Sequence, residues 1–265
     1  MKLKSPLVSI LINNYNNEKY CLKAVQSALK QNYNRIEVIF YDDYSSDNSL
    51  NKIKKIKSNK LKIIENRSRG QKYSFNQLQA IFSSLKKSKG EIVCILDSDD
   101  FFKKNKVKKI VSFFDKNKDE EILFDKPVNY YGKNKKIESK IDYRKRINKW
   151  PIFPPTSCIS IRSRSLKKIK KMILVKKFQD LWFDFRIAAF YAFKKGQLNI
   201  FQEHLTYYRN HSSSHDKKYK KLINKAWWNR RHQAFEFLSY IDKKKYKKNK
   251  ITLDYLLTKL ISYFY

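Results

Sequence analysis

Short apolar runs alternate with helix-periodic stretches through the first part of the chain. Residues 7–13 (LVSILIN) form a run too short for a helix and typical of a buried strand, closed by the polar turn Asn14 to Asn17. Cys21, Ala24, Val25, Ala28 and Leu29 then recur at the spacing of one helix face. A second strand is predicted over residues 36–41 and ends in Asp42 and Asp43; Asp47 is placed to cap a helix carrying Leu50, Ile53 and Ile56. Residues 61–64 make a third strand, and Phe75, Leu78, Ile81, Phe82 and Leu85 a further helical stripe. Residues 92–96 are five apolar positions in a row that run into Asp97, Asp99 and Asp100. A helix with Val107, Ile110, Val111 and Phe114 and an apolar segment at 122–124 follow. Such alternation predicts an α/β architecture: a mostly parallel, Rossmann-like sheet flanked by helices and joined by right-handed crossovers. Ligands of such sheets bind at the carboxyl ends of the strands. The polar clusters at 13–16, 42–47 and 97–100 all fall there and are expected to share one crevice.

The alternation stops near residue 125. Residues 126–149 read as a lysine-rich loop region with a hairpin around 128–137, and the prolines at 151, 154 and 155 force an extended connector. A strand is predicted at 158–162, one aromatic-rich helix over 178–193 containing Asp180, Asp184 and Arg186, and a strand at 198–208. Beyond Lys217 the pattern is helical, with Trp227, Ala234, Leu238 and Ile241 on one face, a basic run at 243–250 and a last apolar stretch at 253–265. Three segments result: 1–125, where strand and helix alternate; 126–215, where they do not; and 216–265, a basic helical extension.

Composition narrows the class. A hydrophobic fraction of 42% excludes a disordered chain. No apolar run approaches the roughly 18 residues of a membrane span, and residues 1–6 lack a signal-peptide core, so a cytoplasmic location is expected. Three scattered cysteines, Cys21, Cys94 and Cys158, give neither a disulfide framework nor a zinc spacing. The net charge of +36 attracts polyanions, whether nucleic acid, anionic lipid or phosphorylated substrate. Its lysine excess, accompanied by Asn and Ile, is also what an AT-rich genome encodes.

The acids at the end of the 92–96 run carry the chemistry. Clustered carboxylates at the mouth of a buried strand need a cation, and Asp97 and Asp99, two apart, point the same way in an extended chain. Such a pair suits a divalent metal whose other ligands are water and phosphate oxygens.

The ordered segments "VSILINNYN", "QSALKQNYNRIEVIFYDDYSSDNS", "GQKYSFNQ" and "KGEIVCILDSDDFF", with the later "FQDLWFDFR" and "LTYYRNHSSS", resemble the family 2 glycosyltransferases over residues 6–214. The resemblance implies a GT-A fold with residues 1–125 as the nucleotide-sugar-binding half and 126–215 as the smaller acceptor-binding half of the same domain, and inverting transfer from a nucleotide-diphosphate sugar, a UDP-sugar above all. Mn2+ or Mg2+ is implied as cofactor. By the same resemblance Asn13 and Tyr15 meet the donor base, Asp43 accepts from the uracil ring, and Asp97 and Asp99 form the DxD pair at ribose and metal. Asp100 shares that work, His211 reaches the metal or diphosphate, and Asp180 is the catalytic base, here preceded by Gln179 where the family has Glu. Lys72, or Arg209, is placed to neutralise the diphosphate. Asp184 and Arg186 are expected in separate structural contacts, and His204, His215 and His232 at surface or core positions. The partners implied are the donor, a glycan or glycolipid acceptor of lipooligosaccharide or capsule type, and an anionic membrane touched peripherally by the basic C-terminal segment; no nucleic acid is expected.

The competing class is a basic nucleic-acid-binding protein, suggested by charge and interleaved aromatics; it leaves the acid cluster unexplained. A phosphohydrolase would place an aspartate nucleophile where this chain has Asn13 and Asn14, and a nucleotidyltransferase would need a glycine-rich loop there.

Overall fold

The computed structural model describes residues 5–132, 135–143, 150–196, 198–211, 224–242 and 252–264. Four parallel strands form its first half: β1 (Val8–Asn14), β2 (Ile36–Asp42), β3 (Leu61–Glu65) and β4 (Ile92–Asp97). Helices α1 (Cys21–Leu29), α2 (Ser49–Lys54) and α3 (Tyr73–Lys87) connect them. After β4 come the two-residue β5 (Phe101–Phe102), α4 (Lys106–Lys116), β6 (Ile122–Tyr130), β7 (Lys136–Glu138), β8 (Ile159–Arg162) and α5 (Ser163–Ile173). The chain continues through α6 (Phe183–Ala189), β9 (Ile200–Arg209), α7 (Lys225–Ile241) and α8 (Leu253–Phe264). The strand order is β3-β2-β1-β4-β8-β6-β9-β5, with β7 on the side of β6.

Period-two alternation sends successive β1 side chains to opposite faces. Leu11 joins Ile39, Val93 and Ile95 beneath α3, α5, α6 and α7. Ile10 and Ile12 join Val38, Phe40, Cys94 and Leu96 against α1 and α4. The stripes read from the sequence, Cys21-Ala24-Val25-Ala28 and Leu78-Ile81-Phe82-Leu85, are buried as expected; Phe75 is half-buried and Ile56 lies beyond α2. Gly90 marks the tightest approach at the entrance of β4. A Cβ there would stand 2.4 Å from Ser9 Oγ and 2.5 Å from Ser9 N. Its own N–H donates to Ser9 Oγ at 2.9 Å, so the missing side chain lets β4 seat beside β1.

The second half departs from the sequence reading in three places. Strand β6 runs on through Lys126 and Pro127, where a loop was expected, before the predicted hairpin turns into β7. A proline breaks a ladder unless the register shifts, and shifts occur at Phe124/Lys126 and Lys126/Pro127. Cys158 closes a 3-10 turn ahead of β8 instead of starting the strand. The single helix expected over 178–193 is broken: a 3-10 turn (Lys176–Phe178) is followed by non-helical residues 179–182, then α6, then a π-turn (Phe190–Lys194).

The physical cause of that break is Arg186. Its guanidinium is fully buried and donates to the carbonyls of Ile173, Val175, Phe178 and Leu181, which holds the chain ahead of α6 in tight turns instead of a continuous helix. The structural role expected for Arg186 is the one found. Helix α7 is part of the core, since Ala234, Phe237, Leu238 and Ile241 pack into the cluster beneath α3. Helix α8 leans on α7 through Tyr255 and Thr258, and among the described residues no helix is long and apolar enough to cross a membrane. Residues 133–134, 144–149, 212–223 and 243–251, with parts of the predicted hairpin, the loop containing His215 and the basic run, lie outside the described residues.

Candidate active site

The strand order reverses at β1, which pairs with β2 on one side and β4 on the other, and register sets Asn13 beside Asp97. A crevice opens there, as expected at the carboxyl ends of such strands. It is a cavity of ≈ 650 Å³, and its lining brings together Asn13, Tyr15, Asp43, Asp97 and Asp99 from the sequence-predicted set.

At one end lies a slot of ring-shaped and planar groups. Arg69 lies 3.6 Å from the Tyr15 ring centre and 4.0 Å from that of Tyr73, in the corner where the two rings meet edge to face, and its Nε donates to Asp43 at 2.8 Å. Asn66 Nδ2 donates to the other Asp43 oxygen at 2.9 Å. Burial pushes the Asp43 carboxyl up from its ordinary value, and Asn66 and Arg69 oppose this. The loops bearing Tyr15 and Asp43 are stitched together by Asn16, whose Oδ1 accepts from Ser46 N at 2.8 Å and whose N–H donates to Ser45 Oγ at 3.0 Å. Asn16 adopts φ 50°, a left-handed conformation that asparagine tolerates, and Tyr44 adopts φ 61°. Asp47, expected as the N-cap of α2, stands one residue ahead of the N-cap Asn48, and its Oδ1 accepts from Ser49 N at 3.0 Å.

At the centre stand the acids. Gln77 Nε2 donates to Asp97 Oδ1 at 2.9 Å. The Asn13 amide makes no hydrogen bond of ordinary geometry, yet lies near enough to steady the Asp97 charge. Burial first, and the negative charge of Asp99 second, push the Asp97 carboxyl up to about 7. Asp99 Oδ2 meets His211 Nε2 at 3.0 Å, so the histidine expected near the metal is brought to the acid pair. Arg209 anchors this arrangement: its Nε donates to Asp99 O at 2.6 Å and its guanidinium lies 4.5 Å over Tyr20.

Asp100 corrects the sequence reading. It is 1% exposed, and its two oxygens accept from Ser157 Oγ at 2.6 Å and from Arg209 N at 2.7 Å. Instead of facing the cavity with Asp97 and Asp99 it fastens the turn to β9. The extended-chain argument fails at residue 98, where β4 has ended and the backbone turns. Behind Asp100 lies a fully buried ion pair, Lys106 with Asp125 at 2.5 Å. Lys106 Nζ also donates to Ser157 O (2.9 Å) and Thr206 Oγ1 (2.7 Å).

A divalent cation is tested by this donor set. Among the described residues no three His, Cys, Asp or Glu side chains converge into a preformed cluster. Two carboxylates crowd each other without a positive charge between them, and one histidine faces the outer acid. Asp97 and Asp99, with His211 behind Asp99, would hold a magnesium- or manganese-type ion only as an open set completed by water and phosphate oxygens.

Lys72 and Asp180 are brought to each other, outside the cavity lining. Lys72 Nζ pairs with Asp180 Oδ1 at 2.9 Å, Gln233 Nε2 donates to Asp180 Oδ2 at 2.6 Å, and neither Lys72 nor Asp180 belongs to the cavity lining. Asp184, expected in a structural contact, does line the cavity. The far wall is aromatic and cationic, with Trp150, Phe153, Trp182, Phe185, Trp227 and Arg230. His204 contacts Ser139 O at 3.1 Å and His232 tilts over the Tyr255 ring, and neither belongs to the cavity lining. Sequence reasoning missed Arg69, Gln77, Ser157 and the contribution of α7. Arg69 was hidden among 60 lysines and arginines, and only its place just before Gly70 and α3 hinted at it.

This geometry can be set beside known proteins. The sequence profile of Glycosyl transferase family 2 matches residues 9–196. An uncharacterized glycosyltransferase of Nostoc sp. is 31% identical over 222 residues, covering 78% of this chain and 66% of that protein, just under two thirds of its length. The UDP-Glc:alpha-D-GlcNAc-diphosphoundecaprenol beta-1,3-glucosyltransferase WfaP of Escherichia coli is 28% identical over 225 residues, covering 83% of this chain and 84% of that enzyme. Among solved structures, Staphylococcus aureus TarS 1–349 in complex with UDP superposes with a TM-score of 0.67 at 19% identity, covering 94% of this chain and 70% of that one. That likeness shows a shared GT-A fold. With the profile spanning well over half of its residues, the chain belongs to glycosyl transferase family 2.

Proposed function

We propose that the protein transfers a sugar, with inversion, from a uridine-diphosphate sugar to a hydroxyl of a glycan or glycolipid acceptor, assisted by a divalent cation. The observation that carries this reading is one cavity lined both by the Tyr15–Arg69–Asp43 slot and by the Asp97–Asp99 pair. A flat base fits against the slot, with Asp43 as acceptor for a ring N–H while Arg69 and Asn66 hold the carboxylate in place. Asp97 and Asp99 then lie where ribose and diphosphate follow. When bound there, a divalent cation stabilises the charge that develops on the departing diphosphate. Asp99, backed by His211 and Arg209, orients that end of the donor, and Gln77 fixes the Asp97 carboxylate. The aromatic wall of Trp150, Trp182 and Trp227 excludes water and offers faces against which an acceptor sugar packs. The E. coli relative, by its name, uses UDP-Glc and a lipid-diphosphate-linked acceptor, which supports both assignments.

Thermal melts with UDP, GDP and CDP, each with and without Mn2+, test the donor. UDP with Mn2+ at about 100 times its dissociation constant adds about 2.7 kcal/mol, a rise of roughly 5–11 °C. A melt shifted by nucleic acid alone, or by GDP in preference to UDP, overturns the reading.

The acceptor side extends to α8. Leu253, Leu257, Leu260 and Phe264 form one exposed apolar stripe on that helix, which directly follows the lysine-rich residues 243–250 in sequence. We propose that this stripe rests on an anionic membrane carrying the acceptor. The protein is expected to sediment with vesicles containing phosphatidylglycerol and not with neutral ones, and Leu257→Asp with Leu260→Asp is expected to abolish sedimentation. Equal sedimentation with both vesicle types refutes it.

A further inference from the structure

Asp180 sits in the non-helical stretch 179–182 between the 3-10 turn and α6, where its backbone has no helical ladder to join. Helix α7 supplies partners instead. Gln233 Oε1 accepts from Asp180 N at 2.9 Å, while Gln233 Nε2 donates to Asp180 Oδ2 at 2.6 Å. Arg230, three residues earlier and so on the same face of α7, donates from Nε to Asp180 O at 3.2 Å. Main chain and side chain of one aspartate are thus held from a single helix.

The Gln233 amide matches its partner end for end. Its carbonyl oxygen faces an N–H and its NH2 group faces a carboxylate oxygen. The flipped amide would set oxygen against oxygen and N–H against N–H. Because the two contacts join the backbone and the carboxylate of the same residue, they close a ring that holds the Asp180 side chain in one orientation. An amide does not titrate, so it orients the carboxylate without competing for a proton. Lys72 Nζ, 2.9 Å from Asp180 Oδ1, adds a positive charge from the start of α3. A carboxylate offers about four acceptor positions. One bond on each oxygen is therefore compatible with receiving a hydroxyl as well.

Asp180 adjoins the cavity. Its side chain is 16% exposed, and Leu181 and Trp182 after it, with Arg230 at its carbonyl, all belong to the lining. Helix α7 is anchored in the core by Ala234, Phe237, Leu238 and Ile241, so Gln233 is presented from a fixed element. That helix begins at Lys225, beyond the residues 9–196 that the family profile matches.

We propose that Gln233 is a positioning residue for the base of the transfer step, an inference that rests on the glycosyl-transfer reading with Asp180 as that base. In the step, the acceptor oxygen forms a bond to the anomeric carbon. The bond from that carbon to the diphosphate oxygen breaks, its electron pair leaving on the diphosphate, and the hydroxyl proton passes to an Asp180 oxygen. Gln233 touches neither substrate nor reacting atom. It fixes the direction from which Asp180 receives the proton.

UDP release is measured from UDP-glucose, UDP-galactose and UDP-N-acetylglucosamine, with water or a panel of octyl glycosides as acceptor. The proteins compared are wild type, Gln233→Met, Gln233→Ala, Asp180→Asn and the double variant Gln233→Met with Asp180→Asn; UDP affinity is taken by calorimetry. Methionine keeps the length of the side chain and removes both contacts. Gln233→Met and Gln233→Ala are expected to lower kcat roughly 10- to 100-fold, with donor KM and UDP affinity within about threefold of wild type. Asp180→Asn is expected to lower kcat by at least about 100-fold. The double variant is expected to turn over within about threefold of Asp180→Asn, since Gln233 acts only through Asp180. Losses that multiply in the double variant mark a structural role and overturn the assignment. So does a Gln233→Met protein with wild-type kcat, or loss of UDP binding by both Gln233 variants. Wild-type turnover in Asp180→Asn removes the base and this assignment with it, leaving the transferase reading intact. Wild-type protein that releases no UDP from any of the donors removes the transferase reading itself.

Discussion

Replacing Lys106 with methionine is expected to lower the melting temperature by roughly 6–20 °C, the equivalent of about 3–5 kcal/mol for breaking a buried ion pair in a chain of this size. Both Lys106 and Asp125 are fully buried, 2.5 Å apart. Methionine fills most of the lysine's volume, so cavity formation is a minor part of the cost. The larger part is the Asp125 carboxylate left without its cation, with only the uncharged Thr206 Oγ1 and Leu205 N–H beside it. A second consequence follows from the hydrogen bonds. Lys106 holds Ser157 O, and Ser157 Oγ both donates to Asp100 and accepts from Asp97 N at 3.0 Å. Losing the lysine therefore loosens the turn that carries the acid pair, and UDP affinity is expected to fall with stability. Differential scanning calorimetry and UDP titration check both, and the double variant Lys106→Met with Asp125→Asn is expected to recover part of the melt. A Lys106→Met protein that melts like wild type refutes the role assigned to the pair.

The second large effect is expected at Asp99. Asp99→Asn keeps size and hydrogen-bonding capacity but removes the charge that faces His211 and the cavity. Removing one preorganised electrostatic contact to a developing charge costs on the order of 100–1,000-fold in kcat. The part of the UDP-induced melt shift that depends on Mn2+ is expected to vanish, while the part due to UDP alone remains, because the Tyr15–Arg69–Asp43 slot is untouched. An unaltered Mn2+ dependence excludes Asp99 as a holder of the cation.

Much of this protein is legible in its sequence because the relevant physics is local. Apolar runs of strand length and stripes at helical spacing marked β1 to β4 and α1 to α4, and the rule that ligands gather at strand carboxyl ends placed Asn13, Tyr15, Asp43, Asp97 and Asp99 in one crevice before any geometry was known. Asn13 and Asp97 are placed by register within the parallel sheet, which period-two alternation fixes, and Tyr15, Asp43 and Asp99 follow within two residues of the strand ends.

What the tertiary structure alone decided depends on contacts between residues far apart in the chain. Asp97, Asp99 and Asp100 look alike in sequence, but the turn at residue 98 delivers Asp100 to Ser157 and Arg209 in the interior while its neighbours face the cavity. The helix expected across 178–193 breaks because Arg186 binds the carbonyls of a preceding loop, an interaction no periodicity encodes. The same break turns Asp180 toward Lys72 and Gln233, and sets Asp184 in the wall. Helical and strand patterns are written in neighbours three, four or two positions away, so a single chain reveals them. Which carboxylate meets the cavity is set by partners some 50 to 110 positions distant, and only the folded packing brings those together.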